Sequence, residues 1–380
     1  MSESLQSDTT MRLLLFNLVT DLDNPTQGFN TGWIRALARR VEFIHVITMR
    51  AGHVEVPGNV RVYSVGKEKG YSEPRRALEF YRFLFRILRK DRIDACFSHM
   101  IPIFTILAAP VLRPKGIPLV TWYAHRQVTP TLKLAHHFSD RMISTDEASY
   151  PYDKSKLTAV GQGIDTELFS PSSTPLDNPP LLLSVGRISP IKDLITLVEA
   201  FRLLRQRGHS LRCALVGSSP NQRDAYAEEV RHKVQALNLE DSVQFVGPVP
   251  NHQLTQWYRR AFAHVNCSPS DHSLDKAVME AMACGQPSLS STLGFKETMD
   301  KWADRLLFQH GNPEDLGKKI EGLLRLTDAE RQAMGISLRQ SVVKGHDLEQ
   351  LADRVVALLW SLREPANLAE QIGTSEVRHR

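Results

Sequence analysis

The sequence predicts a doubly wound α/β protein built as two similar domains in tandem. Three observations carry that expectation. A chain of 380 residues is too long for one ordinary core and suits two domains. Short continuous apolar runs, such as "MRLLLFNLVT" (11–20) and "LLLSVGRI" (181–188), read as strands buried on both faces of a parallel sheet. Such runs alternate with helical runs on both sides of "SPSSTPLDNPP" (170–180), which has no periodicity and reads as a linker.

In order, the first strand is followed by a loop, "DLDNPTQGFNTG", and a helical run, "WIRALARRV". Strands "FIHVITMR" and "VRVYSVG" precede a helix over 75–90. "IDACFSHM" and "IPLVTWYAHR" read as strands, each with a histidine at its carboxyl end, His99 and His125. "DRMISTD" and "KLTAVGQGID" complete this half. The second half reads as strand "LLLSVGRI", helix 194–207, strand "LRCALVGSS", helix 223–237, strand "VQFVGPV" and helix 252–261. "AHVNCSPS", helix 275–284, "PSLSS" and helix 313–325 follow. The domains expected are 1–170 and 181–345, joined by 171–180. A final amphipathic helix, 346–362, is free to cross back to the first domain, and 363–380 is a polar tail.

Composition narrows the function. Hydrophobic content of 42% and charged content of 23% are those of an ordinary globular protein. A net charge of +5 suits small anionic ligands or a membrane surface and is too diffuse to imply nucleic acid. Cys96, Cys213, Cys267 and Cys284 form no CxxC pair and no metal-ligand spacing, so free thiols in a reducing cytoplasm are expected. No apolar run approaches the length of a membrane span, and "MSESLQSDTT" lacks a signal-peptide pattern. A cytoplasmic protein is expected, with peripheral contact at the inner face of the membrane open to it. The basis for that contact is helix 75–90, which sets Arg75, Arg82, Arg86 and Arg89 in one arc with Phe80, Phe83, Leu84, Phe85 and Leu88 around the rest. It can lie on anionic lipid or simply pack on its own sheet.

The sharpest motif is "SVGRISPIKD" (184–193), where a strand ends in Gly186, Arg187 follows, and Lys192 stands just before a helix. Two cations at a strand's carboxyl end beside a helix N-terminus suit a diphosphate. The second is "SPSDHSLDKAVMEAMACGQP" (268–287), a polar loop feeding a helix that carries Glu280. Free N–H groups at that helix start invite an anion. Ser273 is the expected cap, Asp275 is expected to aim at sugar hydroxyls with Lys276 offsetting its charge, and Glu280 lies further along the helix. "GFNTG" brackets Asn30 and Thr31, candidate caps, between Gly28 and Gly32. "DLD" at 21–23 is read as capping and solvating a loop rather than as a metal site. No G-x-G-x-x-G follows the first strand and no Walker A sequence occurs, so dinucleotide oxidoreduction and P-loop hydrolysis lack their loops.

"SVGRISPIKD" joined to "AVMEAMACGQP" resembles the retaining, nucleotide-sugar-dependent GT-B glycosyltransferases of the glycogen-synthase-like, or glycosyl transferases group 1, family. "GQGIDTELFSP", "LVGSSP", "FVGPVP", "SPS" and "GFKE" fit in order, and the resemblance runs over about 11–360. It implies two Rossmann-like domains facing across a cleft, the second binding the nucleotide sugar and the first the acceptor. By resemblance, Arg187 and Lys192 hold the donor diphosphate, and Glu280 takes the ribose hydroxyls. Ser273, Leu274, Asp275 and Lys276 offer backbone N–H groups to phosphate or sugar, and Val246 and Val249 flank the base. His125 lines the donor sugar's reactive face. Gly28, Gly32 and His99 belong to the acceptor side.

The implied reaction moves a sugar from a nucleoside diphosphate to a glycan, lipid-linked or polysaccharide-precursor acceptor with retained configuration. The leaving diphosphate accepts the acceptor's proton, and the cations stabilise its charge with no metal and no cofactor beyond the co-substrate. One departure stands out. The family pattern places a first glutamate eight positions before Glu280, and here that position is His272. A catalytically silent nucleotide-sugar-binding scaffold is therefore the alternative. An epimerase or phosphorylase on the same fold is a third reading, and no motif marks the pyridoxal lysine a phosphorylase needs.

Overall fold

The computed structural model describes residues 11–219, 224–269, 271 and 274–363. The chain divides into two compact units, one holding residues up to Asp21, Asn30–Val160 and the chain from Gln350, the other Leu22–Phe29 and Gly161–Glu349.

The first unit is built on β1 (Arg12–Thr20), α1 (Phe29–Ala38), β2 (Phe43–Ala51), β3 (Val60–Ser64), α2 (Glu73–Lys90) and β4 (Ala95–His99). It continues through α3 (Pro102–Leu112), β5 (Leu119–Trp122), α4 (Pro130–Phe138), β6 (Arg141–Ser144) and β7 (Leu157–Ala159). Its seven strands run parallel in the order β3-β2-β1-β4-β5-β6-β7. Leu13, Leu14, Leu15 and Phe16 of β1 are all buried, as a strand covered on both faces requires. α2 buries Phe80, Leu84 and Ile87, spaced as one helical stripe, and leaves Arg75, Arg82, Arg86 and Arg89 exposed.

Helices α3 and α4 are not read from the sequence. Pro102 and Pro130 open them, a position proline tolerates, and Thr129 Oγ1 caps α4 by accepting from Leu132 N at 3.0 Å. The run 117–126 is not one strand to its histidine. β5 stops at Trp122, Tyr123 Oη donates to Gln127 O, and Gln127 N donates to His125 Nδ1, closing a turn that leaves His125 exposed. His99 does end β4, but it is buried, 4.6 Å from the Trp33 ring and 5.6 Å from Trp122. "GFNTG" is also corrected. α1 begins at Phe29, so Asn30, Thr31 and Gly32 are helical, and Asn30 Nδ2 donates to Val19 O rather than capping. Asp21 Oδ1 accepts from His53 N at 3.0 Å.

The second unit holds β8 (Leu181–Val185), α5 (Leu194–Gln206), β9 (Arg212–Val216), α6 (Ala225–Ala236), β10 (Val243–Gly247) and α7 (Leu254–Arg260). Then come β11 (Ala263–Asn266), α8 (Lys276–Ala283), β12 (Ser288–Ser290) and two single turns, α9 (Lys296–Met299) and α10 (Ala303–Leu306). α11 (Pro313–Leu324) and α12 (Asp328–His346) complete this unit, and α13 (Leu348–Arg363), which closes the described chain, belongs from Gln350 onward to the first unit. The strands run parallel in the order β10-β9-β8-β11-β12, so the chain reverses its winding beside β8.

Segment 161–170 packs with this unit, ahead of the Pro- and Ser-rich stretch. Ile164 N donates to His346 O at 2.7 Å, and Arg339 donates to Phe169 O and Thr166 O. α12 is the longest element that periodicity misses. Its buried residues are Met334, Gly335, Leu338 and Val342, a narrow strip in a polar sequence. The overlooked signal is Thr327-x-x-Glu330, whose reciprocal capping bonds start the helix. Among the described residues no helix is long and apolar enough to cross a membrane.

Candidate functional site

A cavity of about 450 Å³ opens at the carboxyl ends of β8, β9 and β10, and all its lining residues belong to the second unit. That size is ordinary for a small-ligand site. Two glycines make the floor. Gly186 has φ 150° and Gly217 φ 140°. A Cβ on Gly217 would stand 1.8 Å from Gly186 O, so the two loops meet backbone to backbone. A Cβ on Gly186 would stand 2.8 Å from Lys192 Cε, so this glycine lets the lysine fold across the strand end.

Lys192 is placed by a turn, its N–H donating to Ser189 O at 2.9 Å. Asp193 then caps α5, Oδ2 accepting from Thr196 Oγ1 at 2.6 Å. Arg187 is exposed at the rim.

The opposite wall is the start of α8. Asp275 is its cap, Oδ1 accepting from Ala277 N at 3.1 Å. This replaces the expected capping by Ser273, which with His272 lies outside the described residues. Asp275 Oδ2 contacts Lys192 Nζ, and the two side chains are 14% and 13% exposed. The expectation that Asp275 aims at sugar hydroxyls with Lys276 as its counter-charge is therefore corrected. Burial alone would raise the Asp275 carboxyl, but the Lys192 ammonium and the Ala277 N–H outweigh it and hold it below the usual range. Lys276 turns elsewhere, donating to Gly163 O at 3.1 Å and lying 4.2 Å over the Phe29 ring. Burial lowers its pKa.

Glu280 is buried one turn further on, accepting from Asn251 Nδ2 at 3.1 Å and Tyr258 Oη at 3.0 Å. Burial raises its pKa. Leu274 lines the cavity and holds position through its carbonyl, which accepts from Gln162 Nε2 at 3.0 Å. Val249 lines it too, whereas Val246 packs against the unit's core.

The cavity thus gathers Gly186, Arg187, Lys192, Leu274, Asp275, Lys276, Glu280 and Val249. Gly28 is buried beside it, in the loop that contributes Thr26, Gln27 and Phe29. A Cβ there would meet Asn24 O at 2.7 Å and Leu22 O at 2.8 Å. His99, His125 and Gly32 stand in the first unit. Motif reading misses Asn251 and, in the loop 22–29 where it singled out only Gly28 for the site, the lining residues Pro25, Thr26, Gln27 and Phe29. Asn24 supplies that loop's signal, its Oδ1 accepting from Thr26 N and Gln27 N as an Asx turn does.

His264 of β11, within electrostatic reach of Asp275 and Lys192, is buried, with neither ring nitrogen hydrogen-bonded among the described residues and the Tyr258 ring 5.9 Å away. Burial drives its pKa down to about 3. The folded chain therefore refuses a proton that the unfolded chain takes up below about pH 6.5. Stability is expected to fall as pH drops from about 6.5 towards 3, by at most about 1.4 kcal/mol per pH unit from this residue. Midpoints of thermal unfolding between pH 4 and 7 should show a shallower slope in His264→Leu. An unchanged slope would remove His264 as the source.

Comparison with known proteins finds a family model that matches part of the chain. Residues 165–340 match the family model described as glycosyl transferases group 1. The chain is 32% identical over 190 residues to a D-inositol 3-phosphate glycosyltransferase of Frankia alni, covering 46% of each chain. It is also 32% identical over 221 residues to D-inositol 3-phosphate glycosyltransferase 2 of Catenulispora acidiphila, covering 52% of this chain and 51% of that protein. The chain thus spans about half the length of these curated relatives.

Among solved structures, sucrose-phosphate synthase from Thermosynechococcus elongatus superposes with a TM-score of 0.73 at 19% identity, over 93% of this chain and 99% of that one. Anabaena Alr3699/HepE, solved in complex with UDP and glucose, gives 0.72 at 16% identity, over 92% and 100%. These likenesses show the fold, two parallel α/β sheets of the GT-B kind. Residues 165–340, a little under half of the chain, are thus similar to the glycosyl transferases group 1 family, and the chain's fold is of the GT-B kind.

Proposed function

We propose that the chain transfers a sugar from a nucleoside diphosphate to an acceptor, with retained anomeric configuration, and that the donor lies in the second unit's cavity. The observation that carries this reading is the meeting of Arg187, Lys192 and the start of α8 at the carboxyl ends of parallel strands, with Glu280 buried behind. Arg187 and Lys192 stabilise the charge that grows on the departing diphosphate, with no metal needed for that step. Glu280 takes the ribose hydroxyls, with Asn251 and Tyr258 fixing its carboxylate. Val249 sits beside the base. His125, exposed in the first unit, serves the reacting sugar. The solved complexes of Alr3699/HepE make UDP the first nucleotide to test. Acceptors to test are glycans, lipid-linked and polysaccharide precursors, and the inositol 3-phosphate of the relatives' names.

UDP-, GDP- and ADP-sugars should be screened by thermal shift. A donor at 100 times its dissociation constant is expected to add about 2.7 kcal/mol of stability. NMR of the transferred sugar then reads its configuration. No stabilisation by any donor would sink the reading. Donor binding without transfer or hydrolysis would favour the silent scaffold, which the Lys192–Asp275 contact supports by engaging one diphosphate cation.

We also propose that α2 touches anionic lipid at a cytoplasmic membrane face. Beside its four exposed arginines, Leu78 and Phe85 are 67% and 44% exposed, so the outward face carries apolar residues as well as charge. Vesicles containing phosphatidylglycerol should bind the protein at low salt and release it as salt rises. The triple change Arg82→Glu, Arg86→Glu and Arg89→Glu should abolish binding. Salt-independent binding would rule out the electrostatic contact.

A further inference from the structure

The Lys192–Asp275 contact raises a question that a diphosphate site should not raise. An anion already occupies it. Asp275 holds the first-turn N–H of Ala277 through one carboxylate oxygen and Lys192 Nζ through the other. Those are the two kinds of group that greet a phosphate at a helix start. The other cations do not replace Lys192 there. Arg187 is exposed at the rim, and Lys276 is turned to Gly163 O and the Phe29 ring.

We propose that Asp275 is a built-in counter-anion that competes with the ligand's diphosphate for Lys192, and that it promotes release of the nucleoside diphosphate product over the sugar donor. The inference rests on the donor reading of the cavity. A nucleotide sugar carries one negative charge on each phosphate. Once the sugar leaves, the terminal phosphate of the product gains a second ionisation with a pKa near 6, so the product carries most of a third charge at pH 7. A fixed carboxylate a few ångströms away opposes the product more than the donor, because the interaction scales with the product of the charges. When the product departs, Asp275 recovers Lys192, so the lysine is not left buried without a counter-ion. Gly186 leaves room for the lysine stem in the arrangement paired with Asp275.

The sign of one substitution tests this. Asp275→Asn keeps a good helix cap and removes the charge. Dissociation constants for UDP, GDP and ADP, and for the matching sugar donors, should be measured by titration calorimetry on wild type, Asp275→Asn and Asp275→Asn with Lys192→Ala. The expected result is that Asp275→Asn binds the nucleoside diphosphate about ten-fold or more tightly, binds the sugar donor with a smaller gain, and loses both gains in the double variant. If Asp275 merely holds Lys192 in place, Asp275→Asn binds both ligands equally or more weakly. That outcome overturns the counter-anion and leaves the donor reading standing. Equal gains for product and donor overturn the release role. Failure of wild type and Asp275→Asn alike to bind any of the three nucleotides or their sugars overturns the donor reading and the counter-anion with it.

Discussion

Lys192→Ala is expected to lower turnover at saturating donor by about 10²-fold or more, by analogy with removing one donor to a developing oxyanion. On the proposed reading the lysine's ammonium meets the diphosphate when negative charge grows on it, so the loss is expected in kcat as well as in donor affinity. The substitution has a second effect that must be separated. It strands the Asp275 carboxylate in a site where both side chains are largely buried. Leaving one partner of a buried pair alone costs about 3–5 kcal/mol. A fall in thermal midpoint is therefore expected for Lys192→Ala, with recovery when Asp275→Asn is added. Turnover should not recover with it, because the lost cation is still missing. Activity is expected to persist in EDTA. Full activity in Lys192→Ala, or a strict Mg²⁺ requirement, would show that something other than this lysine carries the charge.

Arg187 and Lys192 are visible as a site in the sequence because strand end, glycine and cations follow one another within one motif. The partner of Lys192 is not visible, because Asp275 lies 83 positions away and the pairing depends on how β8 and α8 are set side by side. The same limit explains the cap. Ser273 and Asp275 both suit a helix start, and local propensity does not choose between them. His125 shows a different failure. Its run has the composition of a strand, yet the strand stops at Trp122 and Tyr123 and Gln127 close a turn around His125. α12 is lost because a helix lying on the unit's core along one strip needs few apolar residues, and its capping box is a weaker signal than periodicity. The central strands are legible because burial on both faces leaves an unbroken apolar run, as in Leu13–Phe16, whereas β3, β7 and β10 are only partly buried.

Gly217→Ala is expected to cost about 3 kcal/mol or more, from overpacking and a disfavoured backbone together. The obstacle at 1.8 Å is the carbonyl oxygen of Gly186, a backbone atom at the end of β8, and not a flexible side chain that can swing away. Nor can Gly217 move freely. Its N–H donates to Gly247 O at 2.8 Å, while Gly186 N donates to Val216 O at 2.9 Å, so the ends of three strands are tied through this point. Its φ of 140° adds strain for any residue with a Cβ. For a unit of this size about 1 kcal/mol moves the unfolding midpoint by 2–4 °C, so a fall of roughly 6–12 °C is expected in the transition of the second unit. Gly322→Ala supplies the comparison. That glycine lies inside α11, and a Cβ there meets nothing within 4 Å, so the same change should raise stability by about 0.5–1 kcal/mol. Gly217 also lines the cavity, and displacing Gly186 displaces Lys192. UDP affinity should fall with the midpoint in Gly217→Ala and stay unchanged in Gly322→Ala. Equal midpoints for the two variants would mean that the loops at β8 and β9 can part without cost, and the rigid floor argued for the site would have to be abandoned.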